Sequence, residues 1–311
     1  MKMVITGGLG FIGSHLVDRL AKGGNDVHII DDMSHNAVPG KFFNRENNVK
    51  FYFMDVCNPD IREIIRDADV VYHLAARINV DNSIINPGNT IRVNVDGTLN
   101  VLEACRGYGV PKVIFASTSE IYGSSQTDKM SEEHPLDAQS PYAASKVFGD
   151  RLCHSYIQTY GMNISILRNF NTFGPRQRYT QAGDCYGAVI GIFTNMIINN
   201  RPPIIFGDGT QSRDYMFIDD AISGYELCIR NDVVGPINIG TGKSIRIKDL
   251  ADMLLKIIGK DVKPIYDSPR KGEVARLCAD ISLAQKFGYN PTTDIYDGLK
   301  KYVEWFRGQK K

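Results

Sequence analysis

The sequence predicts an α/β protein: a doubly wound parallel sheet, followed by a smaller C-terminal α/β unit. Three observations carry that prediction. Short continuous apolar runs alternate with helical patterns through the first part of the chain. A glycine cluster, Thr6-Gly7-Gly8-Leu9-Gly10-Phe11-Ile12-Gly13, separates the first run from the first helical pattern. The 311 residues are also long enough for about two domains. Apolar strands that alternate with helices are covered on both faces, which is the pattern of a parallel sheet.

Taken in order, the β-rich runs are 4–5, 27–31, 49–55, 70–76, 112–117 and 164–171. Helical patterns cover 11–22, 86–108 and 142–160. Beyond Gly174 the texture changes: 176–186 is polar and reads as a long loop. A helix at 188–199, strands at 204–206 and 237–239, and a helix at 247–258 come after it. The sequence has no internal repeat and no Pro/Ser linker, and its last residues, 308–311, read as frayed. The expectation is a first domain over 1–170 and a second over 171–311, tightly packed and partly interleaved.

Composition narrows the function. Hydrophobic residues make up 43% and charged residues 23%, which excludes disordered and fibrous chains. With 36 basic and 35 acidic residues the net charge is +1, and no basic run offers a footprint for nucleic acid. No stretch reaches the ~18 apolar residues of a membrane span. Met1 to Ile5 runs at once into glycines, too short a segment for a signal peptide. The six cysteines, 57, 105, 153, 185, 228 and 278, stand far apart, which suits free thiols and no metal site. A cytoplasmic protein with no nucleic-acid or membrane partner is expected.

The glycine cluster satisfies two spacings, Gly8-x-Gly10-x-x-Gly13 and Gly7-x-x-Gly10-x-x-Gly13. Glycines there allow a tight turn, admit a pyrophosphate to the backbone and aim a helix N-terminus at it. Asp31 ends the second strand, eighteen residues after Gly13. An acid at that place accepts hydrogen bonds from ribose hydroxyls and repels a 2′-phosphate. Asp31-Asp32 is followed by no Arg, so NAD is expected rather than NADP.

Tyr142-Ala143-Ala144-Ser145-Lys146 begins a helix after Ser140-Pro141, and the spacing puts Tyr142 and Lys146 on one face. A phenol, with its reference pKa of about 10, becomes a useful base when a positive charge favours its anion. Alone, a Tyr/Lys pair so spaced is usually an ordinary surface pair. Upstream, a strand ends in Ser117-Thr118-Ser119-Glu120, and strand C-termini are where open α/β sheets bind ligands.

Taken together, several motifs resemble the extended short-chain dehydrogenase/reductase family. They are the glycine loop, Leu74-Ala75-Ala76, Asn94-Val95-x-Gly97-Thr98, Ser117-Thr118 and Tyr142-x-x-x-Lys146. Arg168-x-Phe170-Asn171-x-x-Gly174-Pro175, Arg213-Asp214-Tyr215 and Arg270-x-Gly272-Glu273 resemble its nucleotide-sugar members. The resemblance implies a Rossmann domain holding NAD and a C-terminal domain holding a UDP-sugar. It assigns Tyr142 as base, Lys146 as its activator and Thr118 as partner of the sugar hydroxyl. It places Gly7, Gly10, Phe11, Ile12, Gly13, Asp31, Asp55, Val56, Leu74, Ala75, Ala76 and Asn94 at the cofactor, with Tyr142 and Lys146. Thr118, Ser119, Glu120, Asn171, Arg213, Arg270, Glu273 and Leu277 go to the substrate. The helices at 86–108 and 142–160 resemble those of the family's dimer interface, so a homodimer is implied.

The shared first step in such enzymes is oxidation at sugar C4. A 4-epimerase, a 4,6-dehydratase and a uronate decarboxylase differ in the later steps. If the strand continues past Thr118, Glu120 shares its side and reaches the sugar. Glucose-type dehydratases have an Asp where this chain has Ser119, whereas decarboxylases and GDP-mannose dehydratases show Thr-Ser-Glu. The expectation is a 4-epimerase for UDP-glucose, with a dehydratase or decarboxylase using Glu120 as the alternative. Leu277 stands where resembling epimerases line the sugar pocket, and lacking the ring of Tyr it implies room for an N-acetyl group. His73 reads as a hydrogen-bonded structural residue and His15 has no motif partner. Tyr302, Trp305 and Phe306 read as a packing face, and Cys278 has no activating neighbour.

Overall fold

Strand and helix alternate from the first residues of the computed structural model, which describes residues 1–34, 47–177, 189–230, 233–269 and 274–309. The chain runs β1 (Lys2–Thr6), α1 (Phe11–Lys22), β2 (Asp26–Asp31), β3 (Val49–Phe53), α2 (Ile61–Ile65) and β4 (Val70–His73). It continues with α3 (Val80–Ile85), α4 (Pro87–Ile91), α5 (Gly97–Tyr108), β5 (Lys112–Thr118), α6 (Pro141–Tyr160) and β6 (Ile164–Asn169). Then come β7 (Asn171–Phe173), α7 (Val189–Ile198), β8 (Ile204–Phe206), β9 (Ser212–Arg213), β10 (Tyr215–Phe217) and α8 (Ile218–Arg230). The last elements are β11 (Gly235–Ile239), β12 (Ile245–Arg246), α9 (Ile247–Ile258), β13 (Ile265–Asp267), α10 (Ser282–Lys286) and α11 (Ile295–Gly308).

Seven strands form one sheet in the order β11-β6-β5-β4-β1-β2-β3, and every pairing in it is parallel. Side chains alternate across a strand. Met3, Ile5, Val70 and Tyr72 therefore enter one core with α1 and α8, while Val4, Val71, Val113 and Phe115 enter the other with α2, α5 and α6. Strand order turns at β1, with β2 and β3 on one side and β4 on the other, so a crevice opens at the strand C-termini there. Three two-stranded pairs, β7 with β10, β8 with β13 and β9 with β12, build the part of the chain beside that crevice. No helix among the described residues is long and apolar enough to cross a membrane.

Several elements differ from the sequence reading. The strand expected at 237–239 is β11, which pairs with β6 in the large sheet, so the chain after residue 171 returns to the first unit. Helix α8 covers that sheet and was not expected. The helix expected at 86–108 is present from Pro87 to Tyr108, but a π-turn at Arg92–Asp96, which the sequence reading did not foresee, lies between α4 and α5. Of the polar loop expected at 176–186, residues 178–186 lie outside the described residues.

Candidate active site

The crevice at the strand ends is a cleft of about 320 Å³. Gly7, Gly10, Phe11, Ile12 and Gly13 form its floor at the start of α1. Gly7 has φ +70°, and a Cβ on it would meet the Ala75 nitrogen at 2.7 Å. A Cβ on Gly13 would meet the Gly7 carbonyl oxygen at 2.2 Å, so the helix approaches the loop as closely as its backbone allows. The Gly7-x-x-Gly10-x-x-Gly13 spacing is thus the one the geometry uses. It leaves the free N–H groups of the helix start facing the cleft, which fits a pyrophosphate.

Asp31 lines the cleft at the end of β2. Its carboxylate accepts from Leu9 N at 3.0 Å and Met33 N at 2.8 Å, fixing its direction. Burial pushes its pKa up, and those two N–H groups work against that. Asp55, Val56, Leu74, Ala75 and Ala76 complete this end of the wall. Asn94 does not line it. Its amide accepts from Arg77 N at 2.7 Å and donates to Arg77 O at 3.0 Å and Ser145 Oγ at 2.8 Å. Asn94 positions the segment after β4, and its amide is spent doing so.

Tyr142, Lys146, Thr118, Ser119, Glu120 and Asn171 gather at the other end. Ser140 caps α6, accepting from Ala143 N at 3.1 Å, and Pro141 starts the first turn, so Tyr142 is fixed at the helix entry. Ser83 of α3 holds the Tyr142 N–H at 3.1 Å. Lys146, one turn on, donates to Ala116 O at 2.8 Å, and its Nζ lies 5.0 Å from the Phe115 ring centroid. Thr118 accepts from Glu120 N at 3.2 Å and hydrogen-bonds the Tyr142 phenol.

The structure corrects two expectations for this cluster. Strand β5 ends at Thr118, and Ser119–Tyr122 is a 3₁₀ turn. Glu120 therefore reaches the cleft on a turn, not along a continued strand. The electrostatics also differ from the expected Tyr/Lys coupling. Burial pushes the Tyr142 phenol well above its usual value, the Thr118 bond opposes this, and the Glu120 charge adds to it. Lys146 is itself lowered to about 8 by burial. Its ammonium is anchored on β5 rather than on the phenol. Burial also raises Glu120, against the attraction of Arg213.

The remaining substrate residues divide. The Asn171 Nδ2 is buried in the cleft with no partner among the described residues, so it is a donor ready for a ligand oxygen. Arg213 is not on the described wall; its guanidinium donates to Ser212 O at 2.9 Å, and its charge favours the Glu120 carboxylate. Leu277 is 2% exposed and packs in the core, away from the described wall, because its N–H pairs with Ser212 O at 3.0 Å. Arg270 and Glu273 lie outside the described residues. Sequence reasoning missed Arg77, Asn169, Phe170, Arg176, Gln177 and Tyr225, which also line the cleft. The run from Asn169 to Gln177 carried the visible signal, since it lies at the C-terminal end of β6.

His73 is structural, as its sequence setting suggested. Its ring nitrogens lie 2.7 Å from Thr6 Oγ1 and 2.9 Å from Thr98 Oγ1. Burial, with the Lys146 charge behind it, pulls its pKa from 6.5 to about 3. The unfolded chain therefore binds more protons than the native one between about pH 6.5 and pH 3, and stability falls as pH falls through that window. Melting temperature measured from pH 7 down to pH 4 should drop for the native protein and drop less for His73→Asn. Equal slopes would remove His73 as a source of acid sensitivity.

Comparison with known proteins agrees with this geometry. The family described as GDP-mannose 4,6 dehydratase matches residues 4–302. A Methanocaldococcus jannaschii protein carrying the provisional name UDP-glucose 4-epimerase is 38% identical over 99% of both chains. A UDP-N-acetylglucosamine 4-epimerase of Methanobrevibacter ruminantium M1, solved with UDP-N-acetylmuramic acid, is 35% identical with a TM-score of 0.94, covering 99% of this chain and 98% of that one. A UDP-glucose 4-epimerase of Thermus thermophilus, solved with NAD, is 32% identical with a TM-score of 0.88 over 99% of both chains. Other relatives carry dehydratase and decarboxylase names. With a Rossmann-like sheet, a glycine loop shaped for a pyrophosphate and relatives matched from end to end, this chain belongs to the NAD-dependent nucleotide-sugar epimerase and dehydratase family of extended short-chain dehydrogenases/reductases.

Proposed function

We propose that this protein is a 4-epimerase of UDP-sugars, interconverting UDP-glucose and UDP-galactose and the corresponding N-acetyl sugars through a 4-keto sugar. The observation that carries the reading is the acid inventory of the cleft. Asp31, Asp32 and Asp55 stand at the β2 end, and Glu120 is the only described carboxylate lining the Tyr142 end. A 4,6-elimination needs one group to take the C5 proton and an acid to release the C6 hydroxyl; an epimerisation needs neither. Ser119 stands where glucose-type dehydratases carry that second acid, and its hydroxyl is a poor proton donor.

In this reading Tyr142 Oη removes the proton of the sugar 4-hydroxyl and later returns it. Thr118 orients that hydroxyl and stabilises the phenolate, while Lys146 holds the start of α6 against β5. Asn171 binds a substrate oxygen. NAD supplies the hydride acceptor and donor, together with a positive ring charge that favours the phenolate. Epimerisation would require the 4-keto sugar to turn within the cleft and present its other face. The homodimer belongs to the same proposal, supported by Ile84, Ile85, Ile91, Leu99 and Phe148, exposed apolar side chains on α3 to α6; sedimentation velocity reads it.

A second reading, dehydratase or decarboxylase, has one observation in its favour: Glu120 is half-buried near Tyr142 with a raised pKa, as suits a proton-transfer group. NMR of products from UDP-glucose, UDP-N-acetylglucosamine and UDP-glucuronate separates the cases. The expected products are 4-epimers; a 4-keto-6-deoxy sugar or a pentose would replace this reading. Glu120→Gln should keep 4-epimerisation within about tenfold, because the residue moves no proton in that reaction. A loss of turnover with sugar binding intact would transfer the assignment to the second reading.

A further inference from the structure

The sequence has no Arg directly after Asp31-Asp32, yet the fold brings one there. Arg77 follows the end of β4, on the other side of β1, and its guanidinium lines the cleft with Asp31, Asp32 and Ser34. Asn94 clamps its backbone on both the N–H and the carbonyl side. One terminal nitrogen donates to Asp32 Oδ2 at 3.0 Å and the other to the Ser34 hydroxyl, which also bonds Asp32. The Arg77 Nε is buried with no partner among the described residues, and the side chain is 15% exposed.

We propose that Asp32 and Arg77 form a second lock on cofactor choice. Asp32 occupies the guanidinium at the Asp31 end of the cleft, so the site refuses a 2′-phosphate by engaging its natural partner as well as by repulsion from Asp31. This rests on the NAD site already described and deepens it. Among the described residues the charges here are Asp31, Asp32 and Asp55 against Arg77 and the Asp55 partner Arg92, a net of −1, which disfavours a dianionic phosphate. Replacing Asp32 by a neutral residue brings the net to zero and frees a planar fork whose geometry matches phosphate oxygens. The pair is only partly buried on the Asp32 side, at 31% exposure, so a single neutral substitution releases the Arg without unfolding the region. Asp31 keeps its two backbone N–H bonds in that variant, so ribose recognition is preserved.

The test is calorimetric titration of NAD and NADP into the wild-type protein, Asp32→Asn, Asp32→Ser and the double variant Asp32→Asn/Arg77→Met. The wild type should bind NAD and discriminate against NADP. Both single variants should bind NADP about ten- to a hundredfold more tightly, the gain of a charge-assisted bond, so that the preference for NAD over NADP falls by at least about tenfold. The double variant should lose that gain. Unchanged NADP affinity in both single variants, or a gain that survives Arg77→Met, would overturn the proposal. A wild-type protein that binds neither dinucleotide would overturn the cofactor assignment instead, and the lock with it.

Discussion

Tyr142→Phe is expected to lower 4-epimerisation by about 10²–10⁴-fold, the usual worth of a positioned general base, while leaving NAD binding within about threefold. The change removes one oxygen and keeps the ring. Tyr142 is 8% exposed and held at the helix entry by Ser83, Ser140 and Pro141, none of which contacts the hydroxyl through a bond the change would break. Thr118 keeps its bond from Glu120 N, so no buried group is left without a partner there. The loss should therefore appear in kcat and not in stability. Burial and Glu120 both disfavour the phenolate in the resting protein. Rates should accordingly rise with pH on the alkaline side of neutrality until the phenol is ionised in the ternary complex. Initial rates by NMR, with a melting curve for each variant, check this. A Phe variant retaining more than about a tenth of the wild-type rate would remove Tyr142 from the proton transfer.

Much of this architecture is readable in the sequence because a covered parallel sheet writes its strands as unbroken apolar runs. Strands β1 to β6, helices α1 and α9, and the start of α6 at Ser140-Pro141 were all legible in that way. Helix α8 was not, because it leaves β10 without a turn: Tyr215-Met216-Phe217 runs directly into Ile218, and the apolar run conceals the change of period. Helices α2 and α3 are five and six residues long, too short for periodicity to separate them from a loop. Strand β11 was seen but its place was not, since pairing with β6 depends on α8 returning the chain to the sheet.

The site shows the same division. Gly7, Gly13, Asp31, Tyr142 and Lys146 act through local spacing on single elements, and spacing is visible. Asn94, Arg77 and Leu277 depend on which strands are neighbours. Asn94 turns to Arg77 because β4 and the π-turn face one another. Arg77 reaches Asp32 only because β1 alone separates β4 from β2. Leu277 turns inward because its segment pairs with Ser212. Glu120 was found for an incorrect reason: the residue lines the cleft, but on a turn.

The largest effect on stability is expected at Arg168. Its side chain and that of Asp150 are each 1% exposed, and they pair through two parallel bonds of 2.9 Å. The same guanidinium donates to Tyr122 Oη at 3.0 Å and to the Glu132 carbonyl at 2.8 Å, while Asp150 also accepts from Ser117 Oγ at 3.1 Å. One buried pair thereby ties α6, β5 and β6 to the segment around residue 132, directly behind Thr118 and Lys146. Removing one partner leaves a charge in the interior without compensation, which costs about 3–5 kcal/mol. Arg168→Met and Asp150→Leu should each lower stability by that amount in urea denaturation. Arg168→Lys should recover only part of it, because a point charge cannot make the paired bonds of a planar fork. The double variant Arg168→Met/Asp150→Leu separates attraction from isolation: with both charges gone, it should be less destabilised than the sum of the singles by at least about 2 kcal/mol. Additive losses would mean that the cost lies in the bonds to Tyr122, Glu132 and Ser117, and that the pair contributes little beyond filling its space.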